Sequence, residues 1–547
     1  MKPPLIDDRI TRAFYLRARR ELAENFGLQC DIDLGTPFLN ALFWGSLKSL
    51  ADRVDPSGFC QTSFGEEGNI KCYGTSHYPR DAAEAAGVLA SVGLTDLGLR
   101  ILRFSLEHIP AGQYYLPHVY RRDGSIRANT VQVDTPGHLA RALERCVRQG
   151  GPVPEAEPLY RQLREVCRAA WRHHYHPEFR LLDAGNYNEQ GFDGSSELLL
   201  DLFTNTAMHS GLAALGRVAA AFGDENSAGE FAEQAGLLAA GIEQRLFDPE
   251  RGFYRSGYSL DRRGFMPEEN WIILYCRRWY EGRPEAWERA YAELLSDTAI
   301  RWDDHTLVTG ETPGRRFMLL GKFFAQQLGY FAGTGREAEL RDGLCFLEES
   351  VRRPFNLYPE WWFHHRPEKL SGYIRDFLAD HRELWCAYAE DPAGDYTVDS
   401  GNCEQTAVFL QHMLDDILGV RFRHGRLQLR PALVHGGGCS ALPVECGKAL
   451  SFHYENNRLE VETGLCRELE LGLPAAAGLP YIVTVNGIPA EARRESGRQL
   501  DTLFVTWLDF FQARCRTGRR QLDTLFVTCP PAAGRIQITV HPEGDRV

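Results

Sequence analysis

The 547 residues would fill roughly three or four ordinary domains, or one large helical barrel with an appendage. Hydrophobic residues at 44% and charged residues at 25% match the soluble globular average, which excludes global disorder and leaves ample material for a core. With 61 Lys and Arg against 74 Asp and Glu the net charge is −13, so no basic field exists to hold nucleic acid.

The first residues, Met1-Lys-Pro-Pro-Leu-Ile-Asp-Asp-Arg9, meet charges before any apolar run long enough for a signal peptide. No later stretch reaches the ~18 uncharged residues of a membrane helix, so neither a membrane partner nor export is expected and the chain reads as cytoplasmic. The 14 cysteines are scattered singly without any Cys-x-x-Cys pair. They read as reduced core thiols, with neither a metal site nor a disulfide framework, and no cofactor is implied. The neighbouring pairs His173-His174 and His364-His365 cannot share one helical face and read as loop or surface residues.

Up to about residue 420 the pattern is helical, with Leu- and Ala-rich stretches of 3.6-residue character between Gly and Pro. Pairs of such stretches meet at Gly93, Gly150-Gly151-Pro152, Gly223-Asp224, Gly282-Arg283-Pro284 and Gly333-Thr334-Gly335, each expected to be a tight helical hairpin turn. The helix running into each turn is introduced by a longer polar, carboxylate-bearing segment. The segments are His77-Tyr-Pro-Arg-Asp81, Gln132-Val-Asp134, Asn188 to Ser196, Pro267-Glu-Glu-Asn-Trp271 and Glu311-Thr-Pro-Gly314, with a sixth, Asn402-Cys-Glu404-Gln405, leading a helix that ends at Gly419. If successive hairpins pack side by side, the short turns fall at one end and the polar segments at the other. The economical architecture is a mainly α fold, an (α/α)6 toroid over residues 1–420 with a polar mouth.

Beyond Gly419 short alternating runs with Asn-Gly and Gly-Gly punctuation predict a C-terminal antiparallel β-sandwich over 421–547. Its strands include Leu427–Arg430, Ala449–Tyr454, Leu459–Glu462, Tyr481–Gly487 and Ile536–Val540. Inside it Arg498–Thr506 recurs identically as Arg520–Thr528, and one copy is expected to lie outside the sheet.

Carboxylates, an Arg-Asp pair and aromatic residues gathered at one mouth suit a neutral polyhydroxylated ligand such as an oligosaccharide. Hydroxyls are gripped by charged side chains and apolar sugar faces lie on rings. Glycosidic cleavage needs one protonated and one ionised carboxyl group.

Tyr78-Pro-Arg80-Asp81, then Tyr120-Arg-Arg-Asp123-Gly124 followed by Gln132-Val-Asp134, and finally Cys403-Glu404-Gln405, resemble in order segments of the glucoamylase family and its six-hairpin glycosidase relatives. The resemblance covers most of residues 60–420, and the β region resembles the small sandwich that closes many of these enzymes. It implies that Arg80 and Asp81 clamp the outer hydroxyls of a non-reducing-end sugar in an exo-acting pocket; the alternative is a salt bridge tying a loop to a helix. Asp134 would order the pocket, or merely cap its helix. Glu404 would be the general base, and its place in a helix's first turn favours the ionised form that activates water.

The Trp-Glu-Glu segment of glucoamylases is missing. Instead Glu189-Gln-Gly-Phe-Asp193-Gly-Ser195 resembles the acid segment of trehalases and processing α-glucosidase I, with Gln190 where those have serine. On that match Asp193 is the general acid, held protonated by burial near Phe192 and by neighbouring carboxylates, with Glu189 and Glu197 as alternatives. Acid and base ~6.5–9.5 Å apart on opposite faces would invert the anomeric centre. Tyr187, Trp271, Tyr358, Trp361 and Trp362 are candidate stacking walls, any of which could instead be core. The resemblance implies an inverting exo-glycosidase for a short α-linked gluco-oligosaccharide. The alternatives are a phosphorylase, for which Arg315-Arg316 is the available cation cluster, hydration of an unsaturated uronic acid, or a non-catalytic sugar-binding protein on the same scaffold.

Overall fold

The protein was analysed as a computed structural model, which describes residues 8–63, 76–186, 198–266, 272–302, 305–308, 318–351, 358, 361–364, 389–390, 396–398, 402–423, 426–446, 448–455, 458–463, 469–476, 481–485, 488–490, 493–496, 522–529 and 534–542. The chain is helix-rich with a β-rich C-terminal region. It divides into two compact units, each discontinuous in sequence.

The first unit comprises Met1–Pro4, Ser46–Gln326 and Asn356–Phe409. Its hairpins pair Pro79–Ser91 with Thr95–Glu107, Thr135–Gly150 with Ala156–His174, and Leu202–Ala221 with Glu225–Gly241. The turns fall at the glycines expected. Gly93 takes φ 94°, a left-handed conformation open to a residue without Cβ, and lets the amides of Gly93 and Leu94 reach the carbonyls of Ala90 and Leu89.

The first arms of successive hairpins, Pro79–Ser91, Thr135–Gly150, Leu202–Ala221 and then Ile272–Cys276, pack one upon the next. Composition separates inner arms from outer ones. Leu202–Ala221 is apolar nearly all round and buries Leu202, Phe203, Ala207, Met208, Leu212 and Leu215. Ala156–His174 buries one stripe, including Leu159, Leu163, Val166 and Cys167, and turns its arginines outward. Thr135–Gly150 and Leu202–Ala221 approach so closely that a Cβ on Gly211 would sit 2.3 Å from Gly137 Cα. Only two glycines permit that crossing.

Between the hairpins run short strands that the sequence did not announce, because two to four residues are too few to show alternation. Leu199–Asp201 pairs with Gly257–Ser259, Val119–Tyr120 with Ile126–Ala128, and Trp361–His364 with Met318–Leu320 and Tyr396–Val398. His173 and His174, expected in a loop or on the surface, close the Ala156–His174 helix. His173 is exposed, whereas His174 is half-buried with Nδ1 2.9 Å from Asp183.

The second unit comprises Leu5–Gly45, Gln327–Phe355 and Leu410–Val547. Among its described residues are a seven-stranded sheet and a five-stranded sheet. Period-2 burial appears where the sequence alternates: Lys448–Glu455 buries Leu450, Phe452 and Tyr454, and Phe452 and Tyr454 stand opposite Val461 and Leu459. Two features depart from a C-terminal antiparallel domain. Asp31–Asp33 supplies an edge strand to Gly437–Glu445, and Arg426–Leu429 pairs parallel with Leu469–Ala476. The second copy of the repeat forms the strand Leu522–Cys529, bonded to Leu469–Ala476 and Arg493–Ser496, while the first copy at 498–506 lies outside the described residues. No described helix is long and apolar enough to cross a membrane. The described cysteines are free thiols, mostly buried, with Cys345 and Cys446 exposed.

Candidate active site

Three of the polar segments lie within the described residues, and all three open helices of the first unit. Pro79 sits at the start of Pro79–Ser91, where its missing N–H costs nothing and its fixed φ suits the first turn. Arg80 and Asp81 follow in that turn, only 6% and 5% exposed. Asp134 precedes Thr135–Gly150, and Glu404 stands in the first turn of Cys403–His412 beneath Asn402, whose Oδ1 accepts the Glu404 N–H at 2.7 Å. The segments at 188–196, 267–271 and 311–314 lie outside the described residues. So therefore do Tyr187, Glu189, Asp193, Glu197, Trp271 and the pair Arg315-Arg316.

Arg80 joins the three described segments. Its Nη1 lies 3.5 Å from Asp134 Oδ2, and its Nε lies 4.0 Å from Asp81 and 3.9 Å from Glu404 Oε1. Asn402 Nδ2 donates to Asp81 at 3.5 Å. Asp134 occupies a cap position, yet its side chain makes no capping bond and turns to Arg80 and His138 instead. Burial by itself would raise the Asp134 carboxyl; His138 Nε2, 3.4 Å away, and the Arg80 charge prevail and hold it at about 2.

Glu404 is 3% exposed, and its two oxygens are treated differently. Oε2 accepts from Lys322 Nζ at 3.0 Å and from Gln405 Nε2 at 3.5 Å. Oε1 accepts no hydrogen bond among the described residues. A buried, ionisable group with one oxygen open and a pool of opposite charges around it is equipped to take a proton.

One turn deeper, Glu84 shows the opposite arrangement. Its Oε1 accepts from His138 Nδ1 and Arg141 at 2.8 Å each, and its Oε2 from Arg278 at 3.0 Å. Burial pushes this carboxyl up, but Arg278, His138 and Arg141 together hold it well below the usual range. Trp279 completes the layer, edge-on to His138 and Phe203 with ring centroids 5.0 Å away, and under the Arg141 guanidinium at 4.5 Å.

Contacts around the cluster return to their start. Arg80 reaches Asp134; His138, one turn on, packs on Phe203 with centroids 6.0 Å apart; Phe203 stacks on Tyr275 at 6.0 Å; Tyr275 meets Phe323 at 5.7 Å. Lys322, beside Phe323, reaches Glu404, and Glu404 approaches Arg80. The cycle visits the starts of Pro79–Ser91, Thr135–Gly150, Leu202–Ala221, Ile272–Cys276, Gly321–Thr334 and Cys403–His412 in chain order.

Tyr358, a candidate stacking wall, is core: it is fully buried, lies flat on Phe409 at 4.2 Å and donates its hydroxyl to Gly321 O. Trp361 and Trp362 fall on a described strand, but their side chains lie outside the described residues. Sequence reasoning passed over Lys322, His138 and the Glu84 network. For Lys322 a signal existed, a lone cation in the apolar run Met318-Leu-Leu-Gly-Lys322-Phe-Phe. No group of three or more metal-ligating side chains occurs among the described residues.

Residues 122–318 match the family model of the mannosylglycerate hydrolase MGH1-like glycoside hydrolase domain. Among solved structures, a GH78 family rhamnosidase of Bacillus sp. GL1 is similar with a TM-score of 0.56 and 15% identity over 82% of this chain and 43% of that one. An α-L-rhamnosidase from Dictyoglumus thermophilum gives 0.51 and 10% over 94% of this chain and 50% of that one. A glycosidase variant in complex with glucose gives 0.50 and 13% over 69% of this chain and 96% of that one. The chain thus spans half or less of the length of the two rhamnosidases. No curated protein shows a significant match. Over residues 122–318 the chain carries a glycoside hydrolase domain.

Proposed function

We propose that this member of the six-hairpin glycosidase superfamily is an inverting, exo-acting glycoside hydrolase for a short oligosaccharide, α-linked glucose foremost. Glu404 is the general base and Asp193 the general acid, with Glu189 and Glu197 the other candidates for the acid. The single observation that carries this is the presentation of Glu404: buried at a helix start, anchored through Oε2, open at Oε1, and set among Arg80, Asp81 and Asp134.

In the reaction, Glu404 takes a proton from water as the water oxygen bonds to the anomeric carbon. The glycosidic C–O bond breaks, and the leaving oxygen receives the proton of Asp193. Arg80, Asp81 and Asp134 bind sugar hydroxyls, and Tyr187, Trp271, Trp361 and Trp362 supply apolar walls. The closed cycle of contacts through six helix starts supports the (α/α)6 toroid, with the β-sheets of the C-terminal region as its sandwich. The glycosidase of similar fold in complex with glucose fits this glycone.

The description of the matched family model favours a second reading, in which the glycone is mannose and the aglycone glycerate. One screen decides between them: hexose release from maltose, trehalose, other glucosyl disaccharides and mannosylglycerate, followed by proton NMR of the first anomer formed. An α-linked substrate should yield the β-hexose first. Glu404→Gln and Asp193→Asn should each abolish turnover without loss of fold, and undiminished turnover in either variant refutes that assignment.

A further inference from the structure

We propose that Lys322 and Gln405 form a positioning clamp that dedicates Glu404 Oε2 to the scaffold, so that Oε1 is the oxygen that takes the proton from water. The inference rests on Glu404 being the general base and adds which of its atoms acts and what selects it.

The clamp has two points of attachment. Lys322, a residue only 1% exposed, donates through Nζ to Glu404 Oε2 at 3.0 Å, and Gln405 Nε2 donates to the same oxygen at 3.5 Å. In return the Lys322 backbone N–H donates to Gln405 Oε1. That N–H belongs to the first turn of Gly321–Thr334, where amides have no carbonyl within their own helix. Gln405, from the start of Cys403–His412, therefore caps its neighbour and is locked by doing so.

A carboxylate without such anchors turns about its last bond and presents either oxygen. Here rotation would break the bond from the Lys322 ammonium and the one from the Gln405 amide inside a buried site, where such bonds are strongest. Burying the ammonium is itself costly, so its place against a carboxylate is what makes it tolerable. Tyr275 and Phe323 wall it in, each ring centre 5.8 Å from Nζ. Among the described residues, ionisable groups near the pair include Arg80 and Asp81 from Pro79–Ser91 and Tyr275 from Ile272–Cys276, while Cys60 and Arg53 stand near the neighbouring Cys403. Asp134 is one step further, beyond Arg80. Of these cations only Lys322 is within hydrogen-bonding distance of Glu404; Arg80 Nε stands 3.9 Å from the open oxygen.

The test uses the full-length chain with Lys322→Met, Lys322→Arg, Gln405→Leu and Glu404→Gln, assayed for hexose release from maltose or from the disaccharide or mannosylglycerate that the screen turns over fastest. Lys322→Met should lower kcat about 100-fold, within the range of general base catalysis, with KM changed less than about threefold. The acidic limb of its kcat/KM profile should move to higher pH, Lys322→Arg should recover part of the rate, and Gln405→Leu should lose about tenfold. A crystal structure of Lys322→Met should show the Glu404 carboxylate rotated. Wild-type kcat and acidic limb in Lys322→Met, or an unrotated carboxylate, would overturn the clamp. Should Lys322→Met fold poorly, Gln405→Leu decides, since it leaves every charge in place: a tenfold loss supports the clamp and a wild-type rate overturns it. Full activity in Glu404→Gln removes the base assignment itself, whereas an inactive Glu404→Gln beside an unaffected Lys322→Met removes only the clamp.

Discussion

Glu84, half-buried, and Glu404, buried, both stand near helix starts and both face cations from neighbouring elements, yet their surroundings differ in completeness. Around Glu84 each oxygen is taken, one by His138 and Arg141 and the other by Arg278. Around Glu404, among the described residues, only Oε2 accepts hydrogen bonds, from Lys322 and Gln405. A carboxylate whose acceptor sites are filled with charged donors gains rigidity and has nothing left to offer a substrate. One with an open oxygen in a buried place keeps an unsatisfied acceptor, which proteins seldom tolerate without a use for it. The difference separates a fastening from a reagent, although the residue type is the same.

The largest effect that would sharpen this contrast is on rate. Glu404→Gln should lower kcat by about 10²–10⁴-fold, the span of general base catalysis, while circular dichroism and the denaturation midpoint stay near wild type. Glu84→Gln should do the reverse. Removing the charge leaves the half-buried Arg141 and Arg278 without their ionised partner, at a cost of up to about 3 kcal/mol in urea unfolding, while the folded fraction keeps its kcat. Equal loss of rate in both variants, or equal loss of stability, would break the distinction.

A third carboxyl, Asp201, extends the comparison to pH. It is fully buried, and burial, with the charges of Asp134 and Asp183, pushes it up to about 7. Its folded value lies above its unfolded one, so the stability it lends is complete below about pH 4 and is lost as pH rises through 7. Asp201→Asn should therefore gain stability relative to wild type as pH rises from 4 to 7, with no further gain above about 8. Midpoints of thermal unfolding across that range measure it, and a constant difference would exclude the effect. The smallest change expected is from Gly137→Ala, whose Cβ would meet Ala207 O at 2.6 Å. Overpacking there should cost about 1–3 kcal/mol and leave kcat unchanged, since both glutamates stand on helices that keep their starts.

Legibility in the sequence followed the length of the pattern. Helices of four turns with glycine-marked ends could be read, as could the alternating strands at Lys448–Glu455 and Arg458–Thr463. The edge strand Asp31–Asp33 could not, because three residues carry no period and its partner lies some four hundred positions away. Arg80, Asp81, Asp134 and Glu404 stood out through motif resemblance, and the folded chain brings them within one cluster. Asp193 falls outside the described residues, and its role rests on the sequence alone. Lys322 and His138 were passed over because a single Lys or His in an apolar helix acquires meaning only from what another helix places against it.

Determined by the sequence alone were the helical periodicity, the glycines that end each arm, the switch to alternation after Gly419 and the clustering of carboxylates before helix starts. These are local properties, set by backbone conformation and by which side of an element is apolar. Left to the tertiary structure was which oxygen of which glutamate stays open. That depends on Lys322, from another helix, meeting Gln405 at Glu404, and on Arg141, from a second helix, and Arg278, from the turn after Ile272–Cys276, closing over Glu84. Electrostatic pairing acts over a few ångströms in space and is indifferent to separation along the chain, so no linear pattern could have announced it.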